Sequence, residues 1–176
     1  MPMEEDVMAY SLSEDDIRKI LPGLKIFPYP QFHDMDSINE AFDHQGRALF
    51  LYLTEDESTG HWVCMMKQGD TIEYFDPYGD YGPDEEAEWL PKSKLRELDQ
   101  DVPRLTQLLK KSGYKVKKNP YKFQKVKHDN NTCGRHCVTR LYLRNLPLEK
   151  YKDVVTSTEY TPDKFVSYFT YDLLRK

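Results

Sequence analysis

The middle of the chain consists of short apolar and aromatic runs, while its two ends carry helical spacing. Arg47–Leu53 is one such run, bounded by Gly46 and an acidic turn. His61–Lys67 and Thr71–Phe75 are two more, separated by Gln68-Gly69-Asp70. Runs of this kind predict strands, and a Gly-Asp pair between two of them predicts a hairpin. Asp76-Pro77-Tyr78-Gly79 closes the third strand with a turn signature, and the acidic stretch to about Pro91 reads as a surface loop.

On the N-terminal side, Ser13 before Glu14, Asp15 and Asp16 predicts a short helix, capped by the serine and with acids where the macrodipole favours them. It ends near Leu21-Pro22-Gly23, and a second helix is expected after Ser37 through Ile38 and Phe42. On the C-terminal side, a helix over Val102–Lys111 stops at Gly113. Tyr114–Val126 reads as one or two lysine-rich strands. Thr132 is placed to cap a helix from Cys133 to about Leu143, with further helices near Leu148–Val155 and Pro162–Leu174. The last has Thr161 as cap, Pro162 at its first position and an apolar stripe at Phe165, Phe169 and Leu173. Helices, then strands, then helices is an α+β order, not alternating βαβ.

A length of 176 residues predicts a single domain, 1–176, able to bury a core without disulfides or metal. The 13% aromatic content argues against disorder, although the mean hydropathy is −0.78. No apolar run approaches the roughly 18–20 residues of a membrane span. The opening MPMEEDVMAY lacks the apolar centre of a secretory signal, and three cysteines is an odd count, so a soluble, intracellular setting with free thiols is expected. Net charge is −5, which argues against a generic DNA-binding protein, but the charge is segregated. Asp80–Asp101 holds eight acids, and Lys110–Lys127 holds eight lysines and no acid.

The candidate chemistry begins at Cys133, in Asn130-Asn131-Thr132-Cys133-Gly134-Arg135-His136-Cys137. A thiol at a helix N-terminus is pushed towards thiolate, and the unpaired amides of that first turn can donate to an oxyanion. Gly134 would let a substrate backbone approach. His61, after Gly60, is a candidate base, and Asp76 a candidate orienting carboxylate. Strand parity connects them. With Gly69-Asp70 as the loop, Asp76 is the diagonal neighbour of His61 on one face, about 7–8 Å away between backbone positions. With Gln68-Gly69 as the loop the two are directly opposite, and a three-residue loop would separate them. The same alternation sends Trp62, Cys64 and Met66 to the other face. Each residue alone has an ordinary reading: a solvated histidine, a turn, a small buried thiol. Cys133, His136 and Cys137 offer no fourth ligand at zinc spacing, Cys137 reads as helix packing, and His33, His44 and His128 have no evident partner.

At these residues the chain resembles the adenovirus-type (adenain-like) cysteine proteases, the viral branch of the clan that includes SUMO-specific proteases. Gly60-His61-Trp62-Val63 resembles the family's His-Trp strand, and Glu73-Tyr74-Phe75-Asp76-Pro77-Tyr78-Gly79 its Phe-(Glu/Asp)-Pro-Phe-Gly segment. Cys133-Gly134-Arg135-His136-Cys137 resembles its nucleophile helix, and Leu12–Ile17 through Tyr29-Pro30 its opening. The resemblance implies a papain-like α+β fold with a mixed or antiparallel central sheet, and a small maturation protease like those of virophages. It makes Cys133 the nucleophile, His61 the base and Asp76 the orienter. Gln124 is the candidate oxyanion donor, although it lies nine residues before Cys133 where the family has six or seven; Asn130 or Asn131 is the alternative. No cofactor is implied. The implied substrates are viral capsid or core precursors cut at Gly-containing sites, in the host cytoplasm or virion. The implied alternatives are an isopeptidase for a ubiquitin-like modifier and a catalytically inactive virion binding protein. DNA along Lys110–Lys127 is a further implied partner, set against the plain reading of that block as a solvated strand and loop.

Overall fold

Register along the central strands is fixed by which side chains must be buried, and here both faces are. The structure, a computed structural model, describes residues 11–125 and 132–176. Among them five strands form one sheet in the order β1-β2-β3-β4-β5: Lys25–Pro28, Arg47–Asp56, Thr59–Gln68, Thr71–Phe75 and Lys115–Lys118. The outer pairs are parallel and the inner pairs antiparallel, so the sheet is mixed and the α+β class holds. Gln68 pairs with Thr71, which makes Gly69-Asp70 the two-residue loop, with Gly69 at φ +59°.

Six α-helices accompany the sheet among the described residues: α1 Glu14–Ile20, α2 Lys92–Glu97, α3 Arg104–Ser112, α4 Cys133–Tyr142, α5 Leu148–Thr156 and α6 Pro162–Leu174. Ser13 caps α1 through a reciprocal bond pair with Asp16. One sheet face is covered by α3 and the segment 29–41, around Phe27, Phe50, Tyr52, Val63, Met65 and Tyr74. The other is covered by α1, α4 and α5, around Leu49, Cys64, Met66 and Phe75. Two-sided burial explains why β2 reads as a continuous apolar run. It also places α4 on the Trp62/Cys64/Met66 face.

Several sequence expectations are corrected. Ser37 opens only a 3-10 turn, Ile38–Ala41, because Phe42 already leaves the helical region at ψ 146°. The stretch before the third helix holds an unpredicted helix, α2, started by Pro91. Of the stretch Tyr114–Val126, the described residues 114–125 give one strand, exposed along its length, because Asn119-Pro120 ends the pairing with β4. Its Lys115 and Lys118 face Asp70 at 3.6 Å and Asp80 at 3.4 Å. The acidic stretch is not simply a surface loop: Glu85–Trp89 forms a 3-10 turn that buries Glu86. Asp84 beneath it accepts from Tyr29 Oη and from Thr106 N and Oγ1, which ties the stretch to α3. No described helix is long and apolar enough to cross a membrane.

Candidate active site

His61 begins β3 where the strand is held tightly against β2. Gly60 permits this, since a Cβ there would lie 1.8 Å from the Tyr52 carbonyl oxygen. With Cys64 opposite Phe75, the register puts Asp76, one residue past the end of β4, on the face of His61. His61 Nε2 lies 3.0 Å from Asp76 Oδ1. The carboxylate is fixed in turn by the Tyr78 amide, which donates to Oδ1 over 2.9 Å. Tyr78 stacks on the imidazole at 4.4 Å and 5°. The Asp76 carbonyl accepts from Asn119 Nδ2, and Phe123 and Gln124 both donate backbone N–H to Pro77 O. The turn after β4 therefore anchors the segment that carries Gln124.

Cys133 is the first residue of α4. Its thiol is hydrogen-bonded to His61, and the backbone amides of Trp62 and Gly134 donate to it. With Nε2 turned to Asp76, the second ring nitrogen, Nδ1, is left for the sulfur. Burial alone would raise the Cys133 pKa, but the hydrogen bond and charge of His61 outweigh it and hold the thiol below its ordinary value. His61 is affected in the opposite direction. Burial pulls its pKa down, yet the Asp76 charge and hydrogen bond, with those of Cys133, lift it to about 10. The arrangement favours a thiolate–imidazolium pair, the starting state of thiol acyl transfer.

A groove of about 740 Å³ opens over this pair, lined by Trp62, Tyr78, Trp89, Gln124, Cys133 and Gly134. Gln124 is buried and in the same groove as the thiol. Asn130 and Asn131 lie outside the described residues. Gly134 serves Trp62 as much as any substrate, because a Cβ there would meet the indole Cδ1 at 3.2 Å.

Thr132 does not cap α4 with its side chain; at φ −95° and ψ 0° its hydroxyl turns to Asp163 Oδ1, 2.7 Å away. The same oxygen meets His136 Nε2 at 2.8 Å, and Asp163 Oδ2 accepts from Lys125 N at 3.2 Å. Sequence reasoning missed this carboxylate. As the acid after Pro162 it carried only the signal of a first-turn helix residue. It also missed Glu86, whose Oε2 lies 3.7 Å from His61 Nε2. An acid among Asp84, Glu85 and Glu88 gives no sign of pointing inward. His61, Asp76 and Glu86 are the described residues that bring three ligand-type atoms within 4.8 Å of one another. Cys137 instead turns its thiol to Trp62 O.

No protein-family model matches the chain. It is 34% identical over 166 residues to the uncharacterized protein V9 of Sputnik virophage, covering 91% of this chain and 94% of that one. Solved structures with similar outlines include the ASFV pS273R protease, 16% identical with TM-score 0.46, covering 92% of this chain and 67% of that one. ChlaDub1 from Chlamydia trachomatis is 14% identical with TM-score 0.48, covering 96% and 94%. The SUMO protease Ulp1 is 16% identical with TM-score 0.39, covering 97% and 77%.

Proposed function

The chain belongs to the family of the Sputnik virophage protein V9, and we propose that it is a cysteine endopeptidase of virion maturation. One observation carries this reading: a single buried imidazole joins Asp76 to the thiol at the mouth of α4, beneath an open groove. In the proposed reaction the Cys133 thiolate attacks a peptide carbonyl and forms a C–S bond. The oxyanion is held by amides of the first turn of α4 and by the Gln124 side chain. The imidazolium of His61 gives its proton to the leaving amine as the C–N bond breaks. Water, deprotonated by His61, then cleaves the thioester and releases the acid. Asp76 keeps the imidazole oriented and stabilises its charge.

The substrates in this reading are precursor proteins of the capsid or core, cut at Gly-containing sites, since a groove walled by Trp62, Tyr78 and Trp89 favours a chain without side chains at the cleaved bond. The viral relative supports the setting in virion or infected cell. DNA is left out of the reading, because Lys115 and Lys118 already face acids of this chain. The test is incubation of the purified protein, and of its Cys133→Ala variant, with virion precursor proteins and with ubiquitin-like conjugates, followed by sequencing of new N-termini. New termini after glycine in precursors, absent with the variant, are expected. Cleavage of conjugates alone would replace the endopeptidase by an isopeptidase.

A further inference from the structure

Glu86 has no task in the reaction just described, yet its carboxylate is among the most confined in the molecule. It is 5% exposed, and neither of its oxygens has a hydrogen-bond partner in the protein. Asp76 Oδ2 is in the same position. Two buried carboxylates thus flank one imidazole nitrogen, and three of their four oxygens have no hydrogen-bond partner in the protein, an arrangement that is costly without a cation. The nearest positive group is His61 itself, and it must serve Asp76, Glu86 and the Cys133 thiolate together.

We propose that His61 Nε2, Asp76 and Glu86 form a site for a divalent transition-metal cation, with Zn²⁺ the best fit, and that its occupation switches hydrolysis off. The spacing suits such an ion. Two ligand atoms at about 2.0–2.1 Å from a tetrahedral centre lie about 3.3 Å apart. The observed separations from Nε2, 3.0 Å to Asp76 Oδ1 and 3.7 Å to Glu86 Oε2, straddle that value. One nitrogen and two carboxylates suit zinc, whereas calcium requires six to eight oxygens and magnesium keeps most of its water. A cavity of about 90 Å³, lined by His61, Glu86, Asp84 and Trp89, adjoins the cluster and has room for a fourth, exchangeable ligand.

Binding exchanges a cation for a proton. The Nε2–H proton leaves to solvent and the freed lone pair takes the metal; no electron is transferred. With the cation on Nε2 the ring keeps its Nδ1–H, but giving that proton to the leaving amine would leave an imidazolate, so His61 no longer serves as acid and base and hydrolysis stops. This consequence rests on the protease reading above; the binding itself does not.

The test separates the two. Zn²⁺ is titrated into Cys133→Ala protein, which removes the thiolate as a competing ligand, and into the same protein carrying Glu86→Gln. One ion per chain is expected, with affinity falling at least roughly tenfold on the second substitution. Co²⁺ bound to Cys133→Ala protein should give the visible spectrum of a four-coordinate nitrogen–oxygen site. In the wild type, Zn²⁺ should block hydrolysis reversibly, with Glu86→Gln at least roughly tenfold less sensitive. No binding to Cys133→Ala protein, equal affinity with and without Glu86, or a six-coordinate cobalt spectrum would overturn the site. The spectrum decides even if Glu86→Gln fails to fold. Glu86-dependent binding in a protein that cleaves nothing keeps the site and removes the protease reading; cleavage without binding does the reverse.

Discussion

Asp163 and His136 form a second histidine–carboxylate pair, 2.8 Å apart and one helical turn beyond Cys133. Because the same carboxylate holds Thr132 and the Lys125 amide, it joins the first turn of α4 and the segment after Gln124 to α6. Replacing Asp163 by Ala removes the acceptor that these donors share and is expected to cost about 2–4 kcal/mol. Asp163→Asn keeps one acceptor oxygen and should recover part of that. If the pair positions the nucleophile, kcat falls in both variants more than KM rises; urea titration and steady-state kinetics together decide this.

Burial holds the His136 pKa below its ordinary value, even against the hydrogen bond and charge of Asp163. Below about pH 6.5 the unfolded chain therefore takes up a proton that the folded chain refuses, and stability declines as the pH falls. His61, raised in the folded state, is protonated in both states in that range and adds nothing there. His136→Asn should flatten this acid limb when unfolding free energy is measured against pH.

The thiols should differ sharply in reactivity. Cys133 has its pKa lowered and lines an open groove, whereas Cys64 and Cys137 are buried and burial pushes the Cys137 thiol well up. Iodoacetamide near pH 6 is expected to label Cys133 in the native protein well before the other two, as read by peptide mass spectrometry. Equal slow labelling would mean that no activated thiol exists.

Rate against pH reports the pair from both sides. Activity is expected to fall in acid as the thiolate is protonated, and in alkali as His61 gives up its proton near pH 10. Asp76 supplies the largest raising influence on His61, so Asp76→Asn should bring the alkaline limb to lower pH and reduce kcat/KM by at least about tenfold. A profile that keeps its alkaline limb in the variant would separate Asp76 from the imidazole.

Legibility from sequence followed the range of the interactions. Strand parity ran from Gln68-Thr71 outward and placed Asp76 beside His61, because a two-residue turn transmits register over the few residues between them. The helix start at Cys133 was readable from local punctuation. Thr132 was misread as a cap because its hydroxyl answers to Asp163, 31 residues away in sequence, and no local rule carries that distance. Glu86 was unreadable for a similar reason. Its burial follows from Asp84, which adopts φ +66° and binds Tyr29 and Thr106 from distant segments.

Arg140 shows how the helix that begins at Cys133 is fixed to the sheet. It is 1% exposed, and its Nε and Nη2 donate to the two oxygens of Glu73 on β4 at 2.8 and 3.0 Å. Its Nη1 donates to the carbonyls of Leu143 and Leu146, which closes the C-terminal end of α4. Glu73 lies three residues before Asp76, so the strand that leads into Asp76 also anchors the far end of the helix that presents Cys133. Glu73→Gln removes the charge but leaves the guanidinium buried, and such a break is expected to cost about 3–5 kcal/mol. Replacing Arg140 and Glu73 together by Met and Leu leaves no orphaned charge and should cost much less. A double-mutant cycle in urea measures the difference. If the single and double variants lose the same stability, the pair is not what holds the helix to β4.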